Sequence, residues 1–261
     1  MLGAIAGDVI GSVYEQKHVK VTDFALFSEA SRFTDDSVMT AAVADALLHG
    51  RPYADNLRAF YRHYPKAGYG YLFSSWGRGE IAEPYQSYGN GSAMRVSPVA
   101  YAHDDLDAVL AEAAASAAVT HDHPDGLAGA KAVAAAIFLA RAGADKAAIK
   151  AWLDERFAYD LYRRLDDIRP DYRFDATCPG SVGEAILAFL ESTDFESAVR
   201  LAVSLGGDAD TQAAIAGAIA EAYYQGVPEA IESEVFARLD SRLAGVTRNF
   251  RARYLAGGYR L

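Results

Sequence analysis

At 261 residues, 51% of them hydrophobic and 23% charged, the chain is long enough to bury a sizeable core in one large domain, expected to span residues 1–261. Its formal net charge of −10 argues against a general nucleic-acid binder, which needs basic surface to displace counterions from phosphates, although a local basic patch stays open. Cys178 is the sole cysteine, which excludes an intrachain disulfide framework and thiolate-rich zinc or iron–sulfur sites, so any metal must bind oxygen or imidazole.

The first residues, Met1 to Gly7, are apolar but carry no basic flank, and Asp8 interrupts the run before it could resemble a signal peptide. No stretch approaches the ~20 apolar residues of a membrane span, so the cytoplasm is the expected compartment. Gly7 to Glu15 reads as a short helical turn ending in an acid. From Ser37 to Leu48, Val38, Met39, Ala42, Ala46 and Leu47 recur at three- and four-residue steps until Gly50-Arg51-Pro52 stops them, which predicts a helix. Another is expected over 54–63.

Residues 64–92 are rich in glycine and aromatics, among them Tyr69, Tyr71, Phe73, Trp76, Tyr85 and Tyr88, and read as a long ordered loop. Helical periods return over 93–102, 105–119, 126–141 and 145–157. A second irregular connection is expected over 158–180, then helices over 181–191, 194–204, 211–225 and 228–243. No pair of alternating strands stands out, and the alanine-rich composition favours helices packed closely through small side chains. The predicted fold class is all-α.

Two acidic motifs far apart in the chain look alike. Thr34-Asp35-Asp36-Ser37 opens one predicted helix and Asp208-Ala209-Asp210-Thr211 opens another. Helix capping is the simplest account, since Asp, Ser and Thr satisfy free N–H groups and complement the helix dipole. Capping needs one such residue, however, and each motif offers two carboxylates and a threonine. The helices behind them carry small residues, Ala41, Ala42, Ala44 and Ala46 in one and Ala213, Ala214, Ala216, Gly217, Ala218 and Ala220 in the other. If their N-termini pack together, four carboxylates converge, and such a cluster needs counter-cations. Oxygen donors without thiolates suit Mg²⁺ first, Mn²⁺ as a close competitor and Ca²⁺ less well.

Ser87-Tyr88-Gly89-Asn90-Gly91-Ser92-Ala93-Met94-Arg95 is a glycine-bearing loop running into a helical segment, able to turn N–H groups towards an anion, or else an ordinary Asn-Gly turn. Thr120-His121-Asp122-His123-Pro124 contains a His-x-His pair without further ligands at convincing spacing, which favours a hydrogen-bonding His121 over a zinc site. His123 before Pro124 reads as turn chemistry.

Taken together, Gly7-Asp8 with Glu15, Thr34 to Ser37, Gly89 to Arg95, Thr120-His121 and Gly206-Gly207-Asp208-Ala209-Asp210-Thr211 closely resemble the ADP-ribosylglycohydrolase family, including its dinitrogenase-reductase-activating members. The matches follow the family's order along nearly the whole chain. The resemblance implies a single compact orthogonal helical bundle with a binuclear Mg²⁺ cleft. By motif position Thr34, Asp35, Asp36, Asp208, Asp210 and Thr211 would hold the metals. Glu15 would act as ligand or catalytic acid/base, with Asp35 and Asp36 as the other catalytic candidates. Ser87, Tyr88, Gly89 and Asn90 would contact ADP-ribose, Tyr88 against adenine, and His121 would lie near the pyrophosphate or distal ribose. The implied reaction is hydrolysis of the glycosidic bond at the distal ribose of ADP-ribosylated proteins or small molecules, with nucleic-acid-linked ADP-ribose also open and a monomer expected. Arginine-type members are expected to carry an acid near position 87, where this chain has Ser87. A two-metal phosphohydrolase and a non-enzymatic ADP-ribose-binding relative are the competing readings.

Overall fold

Glycines at four-residue steps, Gly3, Gly7 and Gly11, run down one face of the first helix and determine how it packs. In the computed structural model, which describes residues 1–261, this helix is α1 (Leu2–Gly11), and every one of its residues is buried. It is followed by α2 (Asp35–His49), α3 (Tyr53–His63), α4 (Tyr71–Arg78), α5 (Gly91–Met94), α6 (Val99–Ala102), α7 (Leu106–Ala118) and α8 (Pro124–Arg141). The remainder comprises α9 (Lys146–Arg156), α10 (Leu165–Ile168), α11 (Cys178–Glu191), α12 (Phe195–Val203), α13 (Ala209–Tyr223), α14 (Glu229–Arg238) and α15 (Ser241–Tyr254). There are no strands, only an isolated antiparallel bridge between Gly89 and Thr177. No helix is long and apolar enough to cross a membrane.

α13 is the central element, packed against α1, α8, α11 and α12. Its contact with α1 is tight because glycine removes the Cβ that would collide. A Cβ on Gly7 would lie 2.0 Å from the Ala213 carbonyl oxygen, one on Gly3 2.2 Å from that of Gly217, and one on Gly11 2.4 Å from the Asp210 Cα. None of these partners is a flexible side-chain tip, so backbone meets backbone along this seam. The pairing fixes where α13 begins relative to α1, and therefore where Asp208 and Asp210 stand.

The helices predicted from periodicity are present, with shifts at the edges. The turn expected over Gly7 to Glu15 is the end of a full helix that starts at Leu2. Residues 64–92 contain α4, whose Phe73 and Trp76 are buried while Tyr71 and Leu72 are exposed. The run over 93–102 divides into α5 and α6, with Pro98 at the N-cap of α6. The helix expected over 228–243 ends at Arg238, and Asp240 then caps α15 by accepting from the Leu243 N–H at 2.9 Å. Leu243, Ala244, Thr247 and Phe250 face inward from α15 at helical spacing, a period obscured in sequence by the intervening arginines.

Candidate active site

The two acidic motifs meet at the N-termini of α2 and α13, and α1 holds the first of them in place. Asp8, a carboxylate within the apolar α1, is fully buried. Its Oδ2 accepts the backbone N–H of Thr34 at 2.9 Å and that of Ser37 at 3.0 Å, and its Oδ1 accepts the Thr34 hydroxyl at 2.7 Å. The Ser37 hydroxyl also donates to Asp8. Asp8 thus satisfies the free donors at the start of α2 from outside that helix. Thr34 completes the cap by accepting the Asp36 N–H at 3.3 Å. Asp35 and Asp36 are left free for something else.

At α13 the cap position belongs to Asp208, yet its side chain makes no capping hydrogen bond. It turns away and accepts from the Asn90 amide at 2.8 Å. Capping therefore does not account for the carboxylates of either motif. Thr211 joins the two helix starts by donating its hydroxyl to Asp36 Oδ2 at 3.2 Å. The other Asp36 oxygen is buried with no partner.

Carboxylate oxygens of Asp8, Asp36 and Asp210 lie within 4.8 Å of one another, and so do those of Glu15, Asp208 and Asp210. Asp210 belongs to both groups. Burial, reinforced by Asp210 and Asp8, pushes the Asp36 carboxyl well above its ordinary range, and burial with Asp208 and Asp8 does the same for Asp210. Burial raises Asp35 to about 8, with Asp8 adding to the effect. Burial and the Asp208 charge also raise Glu15, partly offset by Arg32. An anionic cluster with an orphaned, buried carboxylate oxygen fits divalent cations with hard oxygen preferences.

Glu15, Asp35, Asp36, Asp208 and Asp210 form the floor of a cavity of about 450 Å³, within the range that encloses a small ligand. Asp35 borders it, its backbone N–H donating to the Ala67 carbonyl at 2.9 Å. An Asp35 oxygen would lie 2.9 Å from a Cβ on Gly68, whose φ of +122° also favours glycine. Ser87, Gly89, Asn90 and Gly91 form one wall with His121. That wall is pinned by Asn90 N–H to the Ala176 carbonyl and Cys178 N–H to the Tyr88 carbonyl, each 2.8 Å.

The sequence-predicted residues divide by position. Thr34, Asp35, Asp36, Asp208, Asp210, Thr211 and Glu15 converge on the floor, and Ser87, Gly89, Asn90 and His121 line the wall. Asn90 is buried and its amide donates to Asp208 and to Ser181 at 3.1 Å, so this side chain faces the acidic cluster. Tyr88 is not among the lining residues. Its half-exposed ring lies 5.4 Å from that of His123. The exposed aromatics at the cavity are instead Tyr71 and Phe174.

Residues without a sequence-assigned role also matter here. Asp8 carried a signal, as the single charge in a wholly apolar run. Arg95, fully buried in the cavity lining, gave none beyond its place in the glycine motif. Tyr85 and Phe174 reach the cavity from segments whose aromatic content was visible but whose direction was not.

The family model for ADP-ribosylglycohydrolase matches residues 1–254. ADP-ribosylhydrolase ARH3 of Xenopus tropicalis is 27% identical, over 86% of this chain and 85% of the relative. The ADP-ribosylarginine hydrolase Tri1 of Pseudomonas putida is 28% identical, over 94% of this chain and 75% of the relative. A solved structure described as an ADP-ribosylglycohydrolase-related protein complex superposes with a TM-score of 0.70 at 25% identity, covering 97% of this chain and 96% of the other. The chain belongs to the ADP-ribosylglycohydrolase family. It is a glycosidase-type hydrolase with that family's helical fold.

Proposed function

We propose that this hydrolase binds two divalent cations, Mg²⁺ in the first place and Mn²⁺ as the competitor, and releases ADP-ribose by cleaving the glycosidic bond at the distal ribose of an ADP-ribosylated protein or small molecule. The observation that carries the reading is Asp210, shared between two carboxylate groups at the floor of one cavity. Asp36, Asp208, Asp210 and Thr211, together with Thr34 and Asp35 on the same floor, would hold the ions. Bound there, the ions would orient vicinal hydroxyls and stabilise charge on their oxygens.

The chain's own groups supply the rest. Glu15 is half-buried and lines the cavity, and burial with the Asp208 charge raises its pKa, which favours a carboxyl able to hold and give up a proton. The carboxylates beneath the ribose favour the positive charge that develops in an oxocarbenium-like transition state. His121 and the backbone of Ser87 to Gly91 form the wall beside which the diphosphate would lie, and Tyr71 and Phe174 offer aromatic surface at the cavity. A two-metal phosphohydrolase would give those aromatics and the glycine loop no evident task.

One relative's name specifies ADP-ribosylarginine and the other's names no linkage, so the deciding experiment is a linkage panel. Arginine-, serine-, nucleic-acid- and acyl-linked ADP-ribose are incubated with the protein and Mg²⁺, with and without chelator. Release of free ADP-ribose from at least one linkage, abolished by chelator, is expected. ADP-ribose binding without release from any linkage would establish the non-enzymatic reading, and phosphate release in its place would establish the phosphohydrolase.

A further inference from the structure

Arg95 is a fully buried cation in the lining of the cavity, and its Nε and Nη1 have no partner. Burying a charge without an opposite one is expensive, so stability alone does not account for an arginine at this position. Its remaining nitrogen does make contacts. Arg95 Nη2 donates to the Ser116 carbonyl at 3.1 Å and to Thr120 Oγ1 at 2.9 Å. Thr120 Oγ1 lies 2.7 Å from His121 Nδ1. The His121 ring reaches the cavity with Nε2 beside the glycine loop, 3.1 Å from where a Cβ on Gly91 would stand and 3.6 Å from one on Gly89.

The direction of this chain follows from what each group is able to do. A guanidinium only donates, whereas a hydroxyl both accepts and donates. Thr120 Oγ1 accepts from Arg95 and keeps its own proton for a second partner, and the neighbouring cation polarises that hydroxyl for donation, with the imidazole 2.7 Å away. With the hydroxyl donating, Nδ1 accepts and the ring proton resides on Nε2.

We propose that Arg95, acting through Thr120, is the positioning residue that holds His121 as a neutral imidazole with its Nε2–H directed into the cavity as a fixed hydrogen-bond donor. The matching ligand atom is an acceptor oxygen at the Gly89–Gly91 wall. Burial and the Arg95 charge both disfavour the imidazolium, which agrees with a donor that does not titrate on and off. Naming that acceptor as an oxygen of ADP-ribose rests on the functional reading above; the tautomer does not.

The test combines NMR of protein labelled with ¹⁵N-histidine at neutral pH with ADP-ribose titration. His121 is assigned by the signals lost in His121→Gln. The expected wild-type pattern is an acceptor-type shift at Nδ1 and a protonated Nε2. Thr120→Val, which keeps shape and removes the relay, should move both nitrogens towards tautomer averaging and weaken ADP-ribose binding about tenfold, the scale of one lost hydrogen bond. Thr120→Ser should restore both. Arg95→Met should give the same averaging, and if it fails to fold, the wild-type and Thr120 readings decide alone. A wild-type His121 protonated on Nδ1, or an unchanged tautomer in Thr120→Val, would overturn the proposal. Since the NMR readout needs no ligand, failure of wild-type protein to bind ADP-ribose would count against the functional reading only.

Discussion

Thr211 donates its hydroxyl to Asp36 Oδ2 at 3.2 Å, across 175 positions of sequence. This contact joins the N-termini of α2 and α13 and brings two separately unremarkable acidic motifs into one site. Asp36→Ala or Asp210→Ala should therefore reduce Mg²⁺-dependent turnover about 10²–10³-fold, the range seen when a group that stabilises transition-state charge is removed. Circular dichroism should show the fold retained, because each substitution relieves repulsion in the metal-free cluster. Wild-type turnover in either variant would refute the metal assignment.

Metal-free protein should lose stability as pH rises. Burial and mutual repulsion raise the Asp35, Asp36 and Asp210 carboxyls in the folded state, so the native chain binds protons more tightly than the unfolded chain. Their stabilising contribution is complete below the ordinary carboxylate pKa of ~4 and declines as pH passes through the raised values, about 8 for Asp35. Thermal melts in chelator between pH 5 and 8.5, roughly bracketing that interval, should show the midpoint falling. Mg²⁺ should reverse the fall at the upper end, by mass action on the folded state.

Asp8→Ala should act through the fold. Four donors from Thr34 and Ser37 converge on this buried carboxylate, and losing their acceptor should cost on the order of 3 kcal/mol. Denaturant unfolding measures that cost. An activity loss with wild-type stability would instead make Asp8 a direct participant.

Glu15→Gln separates proton transfer from metal binding. Turnover should fall by ~10²-fold or more if the carboxylate moves a proton, while Mg²⁺ should still raise the melting temperature through the remaining aspartates. Loss of both would place Glu15 among the indispensable ligands.

Much of this site was legible in sequence because its parts are local. Thr34-Asp35-Asp36 and Asp208 to Thr211 each sit at a helix start that periodicity reveals. Direction was harder to read. Asn90 faces the acidic cluster through a partner, Asp208, that lies 118 positions away, and Tyr88 in the same loop is absent from the cavity lining. α15 escaped notice because Arg248, Arg251 and Arg253 mask the spacing of Leu243, Thr247 and Phe250. Local patterns identify elements, but the fate of a side chain is determined by neighbours that chain order does not disclose.

The glycine seam between α1 and α13 has a consequence for how such an enzyme could diversify. The spacing of the acidic floor is inherited from two backbones in contact, which leaves no slack: Gly7→Ala would have to part the helices that carry Asp8 and Asp210. The far side of the cavity is drawn from 64–92 and 158–177, connections whose exposed aromatics, such as Tyr71 and Phe174, have no comparable constraint. The acidic floor is thus set by a rigid backbone seam, while the exposed aromatics at the rim can be exchanged without parting those two helices.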